Sequence, residues 1–122
     1  MATRTELDAV FLKLKAILEP YAPRLAVVTD TGSDYYLDTR YIMKNKKPLF
    51  FGSVRRGKSG VSFHLMPLYM YADLLDGVSP ELKKHLQGKS CLNFTSVDEK
   101  LFKELARVTK AGFARYRTEK YV

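Results

Sequence analysis

The sequence predicts an α+β fold, a two-layer sandwich in which an antiparallel sheet of about five strands carries the N- and C-terminal helices on one face. Three observations predict it. Apolar residues recur at helical spacing near both ends of the chain, and the middle holds short alternating runs separated by turn residues. Two long helices with one apolar face each also need a sheet to cover. The 122 residues suit one domain, 1–122. A hydrophobic content of 46% can build a core without disulfides or metals.

The first helix rests on Leu7, Val10, Phe11, Leu14, Ile17, Leu18 and Tyr21, which share one helical face. Thr3 with Glu6, or Thr5 with Asp8, can cap its start. Pro20 and Pro23 end it, because proline disfavours the helical region for the residue before it. Strands at 25–30 and 35–41 flank the turn Thr31-Gly32-Ser33-Asp34. After a basic loop at 44–48, strands at 49–56 and 61–66 form a second hairpin around Gly57-Lys58-Ser59-Gly60.

That hairpin has a register that can be tested. With Arg56 opposite Val61, Val54 meets Phe63 and Gly52 meets Leu65, while Arg55 meets Ser62 and Ser53 meets His64. Apolar pairs fall on one face and mainly polar pairs on the other, and a one-residue slip would mix them. Residues 67–76 suggest a helical turn or two, stopped at Gly77. Ser79-Pro80-Glu81 starts a helix that runs to about Gln87 and stops at Gly88. Residues 91–95 alternate as a fifth strand. Ser96-Val97-Asp98-Glu99 is a capping box that opens the last helix, through Leu101, Leu105 and Val108 to about Arg117.

Phe63-His64-Leu65-Met66-Pro67, the run from Ser79 to Ser90, Leu92-Asn93-Phe94 and the basic last helix together resemble the YdhG-like family over roughly residues 45–117. The resemblance implies a fold similar to frataxin. Some members of that family are regarded as iron chaperones. Frataxin-type iron sites use acidic residues on the first helix and first strand, whereas this helix offers only Glu6, Asp8 and Glu19 among Arg4, Lys13 and Lys15. The acidic ridge is missing, so the iron role is a third reading only.

If the helices cover Leu25, Val27, Leu37, Val54, Val61, Phe63, Leu65, Leu92 and Phe94, alternation places the other residues on an open face. These are Tyr36, Asp38, Arg40, Phe51, Ser53, Arg55, Ser62, His64, Met66, Cys91, Asn93 and Thr95. Tyr36, Phe51 and Met66 together would form an apolar patch with a cationic rim. The competing expectation is that residues 67–77, or a second subunit, bury those aromatics.

The formal net charge is +8, from 21 basic and 13 acidic residues, and residues 40–58 contain seven cations and no acid. A positive field attracts anions and argues against a site that collects bare cations. Two histidines and one cysteine, widely spaced, make no zinc pattern. His64 is a candidate base or ligand, or else a strand histidine bonded to Ser53 or a carboxylate. His85 reads as solvated, Cys91 has no nucleophile turn around it, and Asp73 and Asp76 lack a third acidic partner. Gly52 with Gly57-Lys58-Ser59 matches a phosphate loop literally, but it sits in a hairpin with no following helix.

The expected function is a non-enzymatic binding domain, without cofactor or metal, that recognises an anionic small molecule or a protein partner on the open sheet face. Arg40, Arg55 and His64 would supply charge and hydrogen bonds, and Tyr36, Phe51 and Tyr69 contact area. A homodimer using that face satisfies the same pattern. The runner-up is a nucleic-acid binder, because aromatics beside cations on a sheet can stack bases. No nucleophile, base and orienter occur at suggestive spacing, so no enzyme is expected. A lone cysteine, the lack of a signal-like start and the lack of a long apolar stretch predict a cytoplasmic protein without a membrane span.

Overall fold

The computed structural model describes residues 3–122. Six antiparallel strands form one sheet: β1 (Ala26–Asp30), β2 (Asp34–Ile42), β3 (Pro48–Arg56), β4 (Val61–Leu65), β5 (Leu86–Gln87) and β6 (Cys91–Phe94). Their order across the sheet is β1-β2-β3-β4-β6-β5. Two long helices, α1 (Arg4–Leu18) and α4 (Glu99–Thr118), lie at the two ends of the chain, and two short ones, α2 (Met66–Met70) and α3 (Pro80–Lys83), fall between β4 and β5. Among the described residues, no helix is long and apolar enough to cross a membrane.

α1 starts with a capping box in which the Thr3 hydroxyl accepts from the Glu6 amide and the Glu6 carboxylate accepts from the Thr3 amide. Of the two pairs predicted, this is the one formed. The apolar face of α1 buries Leu7, Val10, Phe11, Leu14 and Leu18, and Ile17 and Tyr21 pack at its margin. α4 buries Leu101, Phe102, Leu105, Val108, Phe113 and Tyr116. Between the helices and the sheet lie Leu37, Val54, Val61, Phe63, Leu65, Leu92 and Phe94, as expected for the covered face. The β3–β4 register is the predicted one, from Arg56 opposite Val61 to Gly52 opposite Leu65.

Four details differ from expectation. First, the helix at Pro80 ends at Lys83, and Leu86–Gln87 form a sixth strand against Leu92 and Cys91. The cap predicted the start correctly, but after it His85 turns to β6. Its Nδ1–H donates to the Asn93 carbonyl at 2.8 Å and its ring stacks on Phe94 at 4.4 Å. His85 is therefore half-buried rather than solvated. Second, Val27 lies opposite Leu37 but remains 48% exposed, because β1 is the outer strand and the helices do not reach over it. A β-bulge at Val28 further breaks its alternation.

Third, β3 carries a bulge. Leu37 faces Gly52 while Asp38 faces Phe50, so one extra residue of β3 is accommodated there. Phe51 and Gly52 consequently point to the same, helix-covered side. Phe51 is fully buried, with its ring 5.7 Å from Phe113, 5.7 Å from Tyr116 and 5.8 Å from Tyr21. Gly52 leaves room for Leu18, whose Cδ2 would stand 3.1 Å from an added Cβ. The Tyr116 hydroxyl donates to the Phe50 carbonyl at 2.8 Å and so ties α4 to the bulged strand.

Fourth, α2 and the 3-10 turn Ala72–Leu75 pack on the helix side rather than over the open face. Pro67 seats directly on Gly112 of α4, where an added Cβ would come within 2.9 Å of Pro67 Cβ. Arg115 of α4 pairs with Asp73 and lies over the Tyr71 ring, so Asp73 serves a structural ion pair. The open side of the sheet stays uncovered within the described chain.

Candidate functional site

On the open side, three rings stand on three adjacent strands: Tyr36 on β2, Phe50 on β3 and His64 on β4. Tyr36 and Phe50 stack with centroids 4.7 Å apart and planes 26° apart, and His64 meets Phe50 nearly edge-on at 5.0 Å. All three are half-buried. The predicted aromatic of this face was Phe51. The bulge puts Phe50 there instead and takes Phe51 to the core, so Phe51 is corrected to a packing residue. One signal could have found this, namely a glycine inside a strand pattern, which often marks a bulge.

His64 sits opposite Ser53 on one side and Cys91 on the other. Its Nε2 is bonded to the Ser90 hydroxyl at 2.8 Å, not to Ser53 or a carboxylate. Burial lowers its pKa below the ordinary histidine value, so at neutral pH it is an uncharged hydrogen-bonding group rather than a cation. Burial raises the Cys91 thiol, so the thiol stays protonated and poorly nucleophilic. Burial also raises the Asp38 carboxyl at the β2 end of the strip.

Beside the rings, toward the β3–β4 hairpin end, a basin of about 470 Å³ opens on the same face. Arg55, Ser59, Ser62, Gln87, Asn93 and Thr95 line it, together with Gly57 and Gly60. The register explains the grouping. Arg55 lies opposite Ser62, and Ser62 lies opposite Asn93, so three neighbouring strands place their polar side chains in one row. The Ser62 hydroxyl donates to Asn93 Oδ1 at 2.8 Å, which assigns the amide oxygen to Ser62 and leaves the NH₂ group as the donor end. Arg55 is the basin's only cationic lining residue, and no carboxylate lines it. Asp34 stands opposite Arg55 across β2–β3, outside the basin. Gln87 belongs to the unforeseen β5, so sequence reasoning could not bring it here.

Of the remaining predicted residues, Arg40 is exposed and its Nη2 reaches the Pro23 carbonyl at 3.4 Å, away from the basin. Tyr69 lies on α2, 60% exposed, with the Lys89 ammonium 5.6 Å from its ring centroid. The structure therefore gathers Tyr36, Arg55, Ser62, His64 and Asn93 on one face as alternation placed them, adds Phe50 and Gln87, and removes Phe51. Among the described residues, no group of three His, Cys, Asp or Glu side chains could hold a metal ion. Comparisons with protein-family models, with curated proteins and with solved structures returned no match.

Proposed function

We propose that this chain is a non-enzymatic binding module that takes a small anionic molecule on its open sheet face. The observation that supports this reading is the Arg55 basin, a polar hollow of about 470 Å³ with one cation and no carboxylate, in line with the Tyr36–Phe50–His64 strip. Arg55 would hold the anionic group as a fork of donors. Asn93, Gln87, Thr95 and Ser59 would hydrogen-bond neighbouring polar atoms, and the ring edges would contact the less polar remainder.

Nucleic acid is the lesser reading on this face. Bases stack on free ring faces, whereas Tyr36 and Phe50 turn one face each toward the other. The YdhG-like resemblance remains a proposal about kinship, and nothing in the acid placement adds support for iron handling.

Calorimetry with small dicarboxylates tests the reading. Saturable binding that Arg55→Ala and Asn93→Ala each weaken supports it. Binding that survives both changes, or no binding by any probe, overturns it. A dimer that persists on dilution in gel filtration and is broken by Arg55→Ala would assign the face to self-association instead.

A further inference from the structure

The hairpin turn Gly57-Lys58-Ser59-Gly60 separates two hollows. One is the Arg55 basin. The other opens at the start of α1, holds about 440 Å³, and is lined by Arg4, Leu7, Ser33, Arg56, Gly57 and Lys58. Its charged lining consists of three cations. Neither acid of the first two turns of α1 lines it. Glu6 is engaged by Thr3 in the cap. Asp8 pairs with Arg56 Nη1 at 2.7 Å but lines the adjoining hollow with Phe11, Leu12 and Gly32. Arg56 is thus a partition between them, oriented by a carboxylate on its far side and by its own amide, which donates to the Ser33 carbonyl at 2.9 Å.

We propose that this hollow binds a phosphate group, carried by a small phosphorylated molecule or present as free inorganic phosphate. Asp8 offsets the charge of Arg56 from its far side, but Arg4 and Lys58 face the hollow with no carboxylate in its lining, and a dianion there relieves the remaining positive surplus. A phosphate brings about two negative charges and three strong acceptor oxygens. Arg4 and Arg56 can offer paired N–H donors, Lys58 a point charge and Ser33 a hydroxyl, while a carboxylate would match only part of this set. The volume lies within the range of small-ligand sites. The Gly57-Lys58-Ser59 pattern takes part, though not as a phosphate loop. The Gly57 amide is bonded to the Gly60 carbonyl at 2.8 Å, so recognition falls to side chains. This site is independent of the open-face proposal and shares only Gly57 with that basin.

The test is amide-resolved NMR titration with inorganic phosphate, a sugar monophosphate and acetate, at fixed pH and ionic strength because exposed charges are screened by salt. Saturable phosphate shifts at Leu7, Ser33 and Lys58 that persist in Arg55→Ala are the expected result. Arg4→Ala/Lys58→Ala should weaken binding about tenfold or more, and Arg55→Ala should leave it unchanged. Arg4 and Lys58 are exposed, so the double variant should keep its fold, which the rest of its spectrum will verify. Tighter binding of the sugar phosphate assigns a phosphorylated molecule, and equal binding assigns free phosphate. No saturation by about 10 mM, where even a millimolar site would be filled, overturns the proposal. So does unchanged affinity in the double variant, or acetate binding as tightly as phosphate.

Discussion

Phe50 and Phe51 are consecutive and chemically identical, yet they belong to opposite faces of the sheet. Phe51 lies among Tyr21, Phe113 and Tyr116 with no solvent exposure. Phe50 stands half-buried between Tyr36 and His64 on the uncovered side. The covered face is a close-packed interior in which Phe51 alone lies near three other rings. The open face is a row of polar side chains with one aromatic strip, and hydrogen bonds organise it more than packing does. Stability therefore resides on one face and the candidate chemistry on the other.

The sharpest way to break this comparison is to truncate both rings. Phe51→Ala should cost about 3–5 kcal/mol, as large-to-small changes in full cores do. Phe50→Ala should cost about 1–2 kcal/mol, because half-burial forfeits roughly half the transfer gain. Urea denaturation of the two variants measures the difference, and equal costs would show that the faces are not distinct in packing. Next in size is Gly112→Ala in α4. Alanine gains about 1 kcal/mol in helix propensity, but its Cβ would stand 2.9 Å from Pro67. Overpacking costs about 1–3 kcal/mol, so a net loss of stability is expected. A more stable variant would mean that α2 yields easily and is not clamped to the covered face.

The smallest effect belongs to the open face. His64 has a depressed folded-state pKa, so the unfolded chain takes up its proton first as pH falls. Its contribution is complete above the unfolded value of about 6.5 and is lost as pH drops from there toward the folded value. Unfolding measured between pH 7.5 and pH 5, about the histidine range, should show stability declining with acid. His64→Gln should flatten that decline. An unchanged slope in the variant would mean that His64 is not desolvated by the strip.

Much of the fold was legible because it rests on local periodicity. The Thr3–Glu6 cap, the buried face of α1 and the full β3–β4 register follow from residue spacing and from the cost of exposing Val54, Phe63 and Leu65. The candidate site was legible only where alternation held. Tyr36, Arg55 and His64 were placed on the open face correctly, whereas one bulge exchanged Phe50 for Phe51. Val27 went astray at the sheet edge, where helix cover is a matter of reach, and Arg40 is exposed but turned to the Pro23 carbonyl.

By itself, then, the sequence determined the two long helices and five of the six described strands, which of their faces seek burial, and that the chain carries a surplus of positive charge. Those properties act over a few residues or are simple sums. Only the tertiary structure decided that Gly52 must yield to Leu18, that Gln87 would join Asn93 and Arg55, and that Arg4 would meet Arg56 and Lys58 around one hollow. Each depends on elements distant in sequence being packed against a common sheet, and no local period encodes which side chains such packing brings together.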